Sequence, residues 1–300
     1  MELAELEIFR AVAIEQSVTR AARALARAQS NVTTRIKQLE SELGVALFHR
    51  DSKRMTLTPE GHRLLNYANQ LLTLAEEARQ SIRGDAPSGR LRVGAMESTA
   101  AVRLPTRLVR YHTAWPDVRV EIQTGTTAAL VADVLNHRLD CAMVAHPANA
   151  APHEADMAEL GPGLEGTWLF SESLVLVLPA GHPEVHTPDD LRVRELAAFT
   201  RGCTYRGIAE AWLQQGANDS RQHDARHHIA VQEMASYHAI LASVSAGTAV
   251  GIVPSSLLAL QRDTSALRTI PVRTAHTYLV RRAGFSTPAF ETFLQEMRHG

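Results

Sequence analysis

Leu3, Leu6, Phe9 and Ala13 recur at helical spacing and predict an amphipathic helix over residues 3–14. Ser17 is placed to N-cap a second helix running to about Ala26, where Ala21, Ala22 and Ala24 permit close packing. A third helix is predicted over Gln29–Leu43: at about 100° per residue, Val32, Ile36, Leu39 and Leu43 form one narrow apolar stripe. Ser30, Thr34, Lys37 and Ser41 point the opposite way, flanked by Asn31 and Gln38, and Gly44 is a left-handed helix stop. His49 to Leu57 reads as a short hairpin whose turn carries Asp51, Ser52, Lys53 and Arg54. Thr58-Pro59-Glu60 then supplies an N-cap, a first-turn proline and a first-turn acid, opening a long helix that reaches about Arg83. Along it Leu64, Ala68, Leu71, Ala75, Ala78 and Ile82 step by four and three, a coiled-coil seam that implies a partner, most simply a second copy. The run from Gly84 to Gly89 reads as a hinge.

From Arg90 the texture changes. Strand-like runs at 91–96, 118–124, 139–145, 173–179, 227–232, 249–254 and 278–282 alternate with helical stretches near 100–115, 127–137, 204–215, 234–246 and 287–298. Such alternation predicts parallel sheets flanked by helices, arranged as two α/β lobes with a ligand cleft at the carboxyl ends of strands. The expected division is a winged helix-turn-helix over 1–57, a dimerisation helix and hinge over 58–89, and an effector-binding region over 90–300.

Charge changes the picture at the N-terminal end. The chain of 300 residues has a formal net charge of -1, yet Ser17 to Thr56 holds eight basic residues against three acidic ones. Lys37 and Lys53 are the only lysines in the chain, and both fall in this stretch. A compact basic helix pair on a nearly neutral protein is the footprint of double-stranded DNA binding. Gln29, Ser30, Asn31, Thr33, Thr34 and Lys37 are the candidate groove contacts, and Arg50 and Lys53 grip the backbone from the wing. Two cysteines argue against a disulfide framework or a cysteine zinc site, and the acidic N-terminus is not a signal peptide. With no apolar run long enough to span a membrane, the cytoplasm is the expected location. No GxSxG, HExxH or GxxxxGK(S/T) occurs, and no acid–base pair stands out, so neither an enzyme nor a cofactor is expected. His223, Arg226, His227 and His228 have no cysteines nearby and read as a polar loop, so no metal site is expected.

Three polar turns each follow a strand and open a helix: Glu97-Ser98-Thr99, Thr124 to Thr127, and Thr200 to Arg206. Their hydroxyls and free N–H groups make Ser98, Thr99, Thr124, Gly125, Thr126, Thr127, Cys203, Thr204, Tyr205 and Arg206 the candidate effector contacts. Arg206 could pair with an acid, and Glu97 or Glu233 could meet an amine; an amino-acid-, amine- or carboxylate-like effector is open at this point. Cys203, beside Arg201 and Arg206, sits where a thiol pKa would be lowered, so a redox-responsive regulator is the alternative. Its only potential partner, Cys141, lies in an apolar strand. A solute-binding protein is a further alternative, opposed by the basic N-terminal helices and the missing signal peptide.

Ala21-Ala22, Leu25, Gln29, Val32 to Glu40, Glu42-Leu43-Gly44, Leu47-Phe48, Arg50 and Thr56 to Gly61 together resemble the LysR-type transcriptional regulators. The resemblance extends over essentially the whole chain. It implies a winged helix-turn-helix, a linker-helix homodimer, often a homotetramer, and a two-lobed effector domain similar to periplasmic binding proteins. It also implies control of a neighbouring operon and admits RNA polymerase as a partner. Where the family often has Ser-Gln-Pro entering the third helix, this chain has Ala28-Gln29-Ser30. The lost cap costs about 1 kcal/mol locally and places Ser30 and Asn31 at the DNA-facing end. Glu97 to Pro105, Gly202 to Arg206 and Glu233 to Pro254 look like a narrower branch that includes regulators of putrescine and amine or aldehyde catabolism.

Overall fold

The computed structural model describes residues 1–49, 54–82, 86–148, 160–217 and 229–298. One compact unit is built from Met1–Asp85 and a second from Ala86–Leu135 and Leu139–Gly300.

The first unit orders α1 (Leu3–Glu15), α2 (Val18–Ala24), α3 (Gln29–Leu43), β1 (Phe48–His49), β2 (Thr56–Leu57) and α4 (Pro59–Ile82). Ser17 caps α2 by accepting a hydrogen bond from the Arg20 N–H at 3.4 Å. That helix stops short of the expected Ala26, because Ala26 turns left-handed at φ 51° and reverses the chain into α3. Leu6, Phe9, Val12, Ala21, Val32, Ile36, Leu39 and Phe48 meet in one core. Leu43, the expected fourth member of the α3 stripe, is instead exposed, since α3 has outrun its neighbours by its last turn.

The winged hairpin is tied back to α3 and α4. Glu40 Oε1 accepts from the Leu47 N–H at 2.8 Å and the Phe48 N–H at 3.3 Å. The Thr58 hydroxyl donates to Ala46 O at 2.8 Å and accepts from the Gly61 N–H at 3.0 Å, capping α4. A Cβ at Gly61 would lie 2.2 Å from Leu47 O, so helix and wing approach more closely there than any side chain allows.

The α4 seam also differs from its expected register. Ala68 is fully buried, and Leu64 packs beside it against the core of its own unit, where α4 lies along α1. Ala75 is half-buried. The apolar stripe left on the surface is Tyr67, Leu71, Leu74, Ala78 and Ile82. Helical periodicity marks two apolar faces on α4, and only packing tells which one the unit consumes itself.

The second unit is built on a six-stranded sheet in the order β4-β3-β5-β10-β6-β9, with β3 Gly89–Ala95, β4 Val118–Thr124, β5 Cys141–Pro147, β6 Leu164–Pro179, β9 Gly251–Pro254 and β10 Leu267–Arg282. It is a mixed sheet, which corrects the parallel arrangement expected from the alternation. Only β3 pairs in parallel, with β4 and β5, whereas β10 runs antiparallel to both β5 and β6. The two 16-residue strands β6 and β10 carry the sheet from one lobe into the other. Their outer halves alternate with polar residues, so only their apolar ends stood out in the pattern. A separate parallel pair joins β7 (Glu195–Ala198) to β8 (Ala230–Glu233). The helix expected at 100–115 is two, α5 (Glu97–Val102) and α6 (Leu104–Ala114), broken where Pro105 can begin a helix but not continue one. The remaining helices are α7 (Thr127–Leu135), α8 (Thr204–Ala217), α9 (Tyr237–Ser245), α10 (Ser255–Leu258) and α11 (Pro288–Arg298). No helix among the described residues is long and apolar enough to cross a membrane, and no group of three His, Cys, Asp or Glu among them could hold a metal ion.

Candidate functional site

The first candidate surface is the outer face of α3. Gln29, Ser30, Asn31, Thr34 and Lys37 are all exposed, and Ser30, Asn31, Thr34 and Lys37 face away from buried Val32, Ile36 and Leu39, whereas Gln29 shares their side at the helix start. Thr33 is only half-buried, and its hydroxyl is spent on Gln29 O at 3.0 Å. The Gln29 side-chain oxygen accepts from the Thr19 hydroxyl at 3.3 Å, which orients it toward α2. Arg35 leans 3.5 Å from Glu5, whereas Lys37 has no ion pair among the described residues and presents its full charge outward. Ala28 offers no side-chain cap to the first N–H groups of α3. Arg50, Lys53 and the histidine-rich run from His223 to His228 lie outside the described residues, as does Gly84 of the hinge.

The second candidate site is a cavity of about 350 Å³ within the second unit. Thr124 to Thr127 line it from the turn between β4 and α7, and Thr200, Cys203 and Tyr205 from the turn entering α8. These two polar turns are joined. The Ala128 N–H donates to Gly202 O at 3.1 Å. A Cβ at Gly202, whose φ is +92°, would meet that of Ala128 at 2.8 Å.

The structure does not bring all the expected contacts to this cavity. Ser98 and Thr99 are buried and outside the lining; the neighbouring Met96 and Glu97 face it instead. Thr204 is absorbed into the frame, its hydroxyl 2.9 Å from both Ala145 O and Thr127 Oγ1. Arg206 is also outside the lining: it donates to Glu210 at 2.8 Å, Glu233 at 2.7 Å and Phe199 O at 3.1 Å. Phe199, Ala129, Met234, Ala235 and Tyr237 complete the wall. Sequence spacing could not have found them, because apolar and aromatic residues beside helix starts look the same whether they fill a core or face a ligand.

Glu97 is the one carboxylate among the described residues of the wall. Its Oε1 accepts from the Tyr237 N–H, the first residue of α9, at 3.2 Å. Burial pushes its carboxyl above the usual carboxylate range, and that hydrogen bond offsets only part of the shift. The Phe199 and Tyr237 rings stack edge to face at 4.8 Å. Burial also raises the phenols of Tyr205 and Tyr237, which stay neutral.

Cys203 reverses the expectation of an activated thiol. Burial pushes its pKa up, and Arg206, whose field would lower it, is already neutralised by two carboxylates. Cys141 is fully buried and pushed well up as well. Thiol labelling of the native protein at neutral pH is accordingly expected to be at least about tenfold slower than for free cysteine, and Cys203→Ser is expected to leave any peroxide response unchanged. Rapid labelling of Cys203 would contradict this environment.

Residues 3–62 match the family model of the bacterial regulatory helix-turn-helix protein, lysR family, and residues 84–300 match the LysR substrate binding domain. The chain belongs to the LysR family. It is 33% identical over 304 residues to the HTH-type transcriptional regulator GltR of Bacillus subtilis (strain 168), covering 99% of this chain and 96% of that protein. It is 37% identical over 260 residues to CzcR of Bacillus thuringiensis subsp. konkukian (strain 97-27), covering 85% of this chain and 81% of the relative. Among solved structures, full-length CbnR complexed with its target DNA is similar at a TM-score of 0.64 and 25% identity, over 99% of each chain. A full-length OxyR variant from Pseudomonas aeruginosa shares the fold at a TM-score of 0.70 and 23% identity, over 100% of this chain and 95% of that one. This LysR protein is therefore a DNA-binding transcriptional regulator with an effector-binding domain, and it is not an enzyme.

Proposed function

We propose that this regulator reads a promoter site as a homodimer, with α3 in the major groove, and that the cavity beside Glu97 and Thr126 takes the small molecule that controls it. The observation that carries the second part is the convergence of polar turns from separate strands on one cavity, at the strand ends where ligands of α/β folds bind. The first part is supported by the polar, exposed and positively charged face of α3. Arg50 and Lys53 flank that helix in sequence and supply backbone contacts. Dimer pairing through the exposed stripe of α4 places two reading heads on one duplex, matching a dyad-like site. Pairs of such dimers would form the tetramer, and contact with RNA polymerase would follow at the promoter. The work belongs in the cytoplasm, with the DNA.

Mobility shift on the DNA upstream of the protein's own gene tests the reading head. Thr34→Ala combined with Arg50→Ala is expected to lower specific affinity about 10- to 100-fold, from one groove contact and one phosphate contact. Circular dichroism should be unchanged, because Thr34 is exposed and outside the core. Intact specific binding by that double variant would overturn the contact assignment.

A further inference from the structure

We infer that the effector of this protein is a cation, an organic amine whose ammonium group is received by Glu97. The inference rests on the cavity being the effector site, and it adds the charge of the ligand. Of the arginines around the cavity wall, Arg206 and Arg103 are committed elsewhere, and Arg201, between the lining residues Thr200 and Cys203, is exposed and outside the lining. Arg206 carries two carboxylates, Glu210 and Glu233, and its third hydrogen bond goes to the Phe199 carbonyl. Arg103, whose field reaches Tyr205, donates twice to Glu172 Oε1, at 3.0 and 2.7 Å. Neither is among the described residues of the lining, which include no lysine or arginine.

Glu97 is left as the unneutralised charge. Among the described residues it forms no salt bridge, and the one hydrogen bond given to its carboxylate comes from the Tyr237 N–H. The nearby titratable group is His238 on α9, which is exposed and makes no ion pair with it. A carboxylate that is partly desolvated and has no counter-ion recovers only part of its burial cost from the Tyr237 N–H, and an ammonium ligand supplies the missing charge. The rest of the wall suits the same ligand. Phe199, Tyr205 and Tyr237 offer aromatic surface to a cation and to the carbon chain behind it. The threonines at 124, 126 and 200 can take a second polar group. A carboxylate ligand would meet Glu97 as a like charge, with no guanidinium among the described lining residues to answer it.

The test uses two matched probe sets on the full chain: benzylamine, benzoate and benzyl alcohol, then butylamine, butanoate and butanol. Binding is read by calorimetry and by the thermal midpoint. The amines should bind at least about tenfold more tightly than the matched carboxylates. Glu97→Gln keeps the acceptor for the Tyr237 N–H and removes only the charge, so it should weaken amine binding about 30-fold or more. Glu97→Asp should lose less than Glu97→Gln. Ala235→Trp and, separately, Thr126→Trp fill the cavity and should abolish binding. If a carboxylate binds best and the tryptophan variants block it, the cavity stands as the effector site and the cationic assignment falls. If no probe binds the wild-type chain, or binding ignores both tryptophan variants, the cavity reading falls and the inference with it.

Discussion

Gly61→Ala is expected to unfold the DNA-binding unit while leaving ligand binding by the second unit in place. The added methyl would sit 2.2 Å from the Leu47 carbonyl oxygen and 2.9 Å from Leu57 Cδ2. The first neighbour is backbone, so no rotamer change relieves the clash. It is held where it is by the Thr58 N–H, which donates to that same oxygen at 3.0 Å, and by Thr58 Oγ1 on Ala46 O at 2.8 Å. Moving α4 away would strain or break these bonds, at about 1 kcal/mol each, and would open the core around Ala68 and Leu72. With the overpacking itself, the total is about 3 kcal/mol or more, a large part of the stability of a unit this size. The first unit should melt at a lower temperature, and specific DNA binding should fail at temperatures the wild type tolerates. An unchanged unfolding profile would mean that wing and helix are not as closely packed as their geometry indicates.

The second large effect is expected at the exposed stripe of α4. Leu71→Asp together with Leu74→Asp should convert the dimer into monomers at micromolar concentration and remove high-affinity operator binding. Leu71 is 40% exposed and Leu74 57%, so neither substitution breaks the core of its own unit. Fully burying a leucine is worth about 1.5–3 kcal/mol, and a two-fold interface loses each side chain twice. Four aspartates placed along one seam add repulsion and desolvation. A dimer weakened by at least about a thousandfold is the expected sum, allowing for leucines that are already partly covered. Sedimentation analysis reads the assembly, and mobility shift reads the consequence, since a lone reading head has only half the contacts. A double variant that still sediments as a dimer would place the interface elsewhere. The same pair at Leu64 and Ala68 would instead unfold the unit, because those side chains pack inward.

The α4 stripes show how far the sequence could be read. Spacing of three and four marks residues that share a face, and it drew Leu64, Ala68, Leu71 and Ile82 into one seam. What a face meets depends on α1, which is distant in sequence from the middle of α4. The same division holds in the sheet. Apolar runs located β5 and β9 closely, since a strand buried on both faces must be apolar throughout, and alternation located the edge strand β4. Strand direction and the long outer halves of β6 and β10 were hidden, because antiparallel pairing leaves one face free to carry polar residues.

In the cavity, the turns at Thr124 and Thr200 were legible as helix starts, which is a local property of hydroxyl and glycine residues. Ser98 and Thr99 obeyed the same local rule yet turned inward. By itself the sequence determined the reading head: its α3 faces are set by helical periodicity, and its turn and wing are tied by short-range bonds from Ser17, Glu40 and Thr58. Only the tertiary structure decided the charge of the cavity wall and the temper of its thiol. Arg206 and Glu97 were equal candidates along the chain, but Glu233 and Glu210 neutralise the first, and nothing among the described residues neutralises the second. Electrostatic partners are chosen by distance in space, and a chain read in order carries the charges without saying which of them meet.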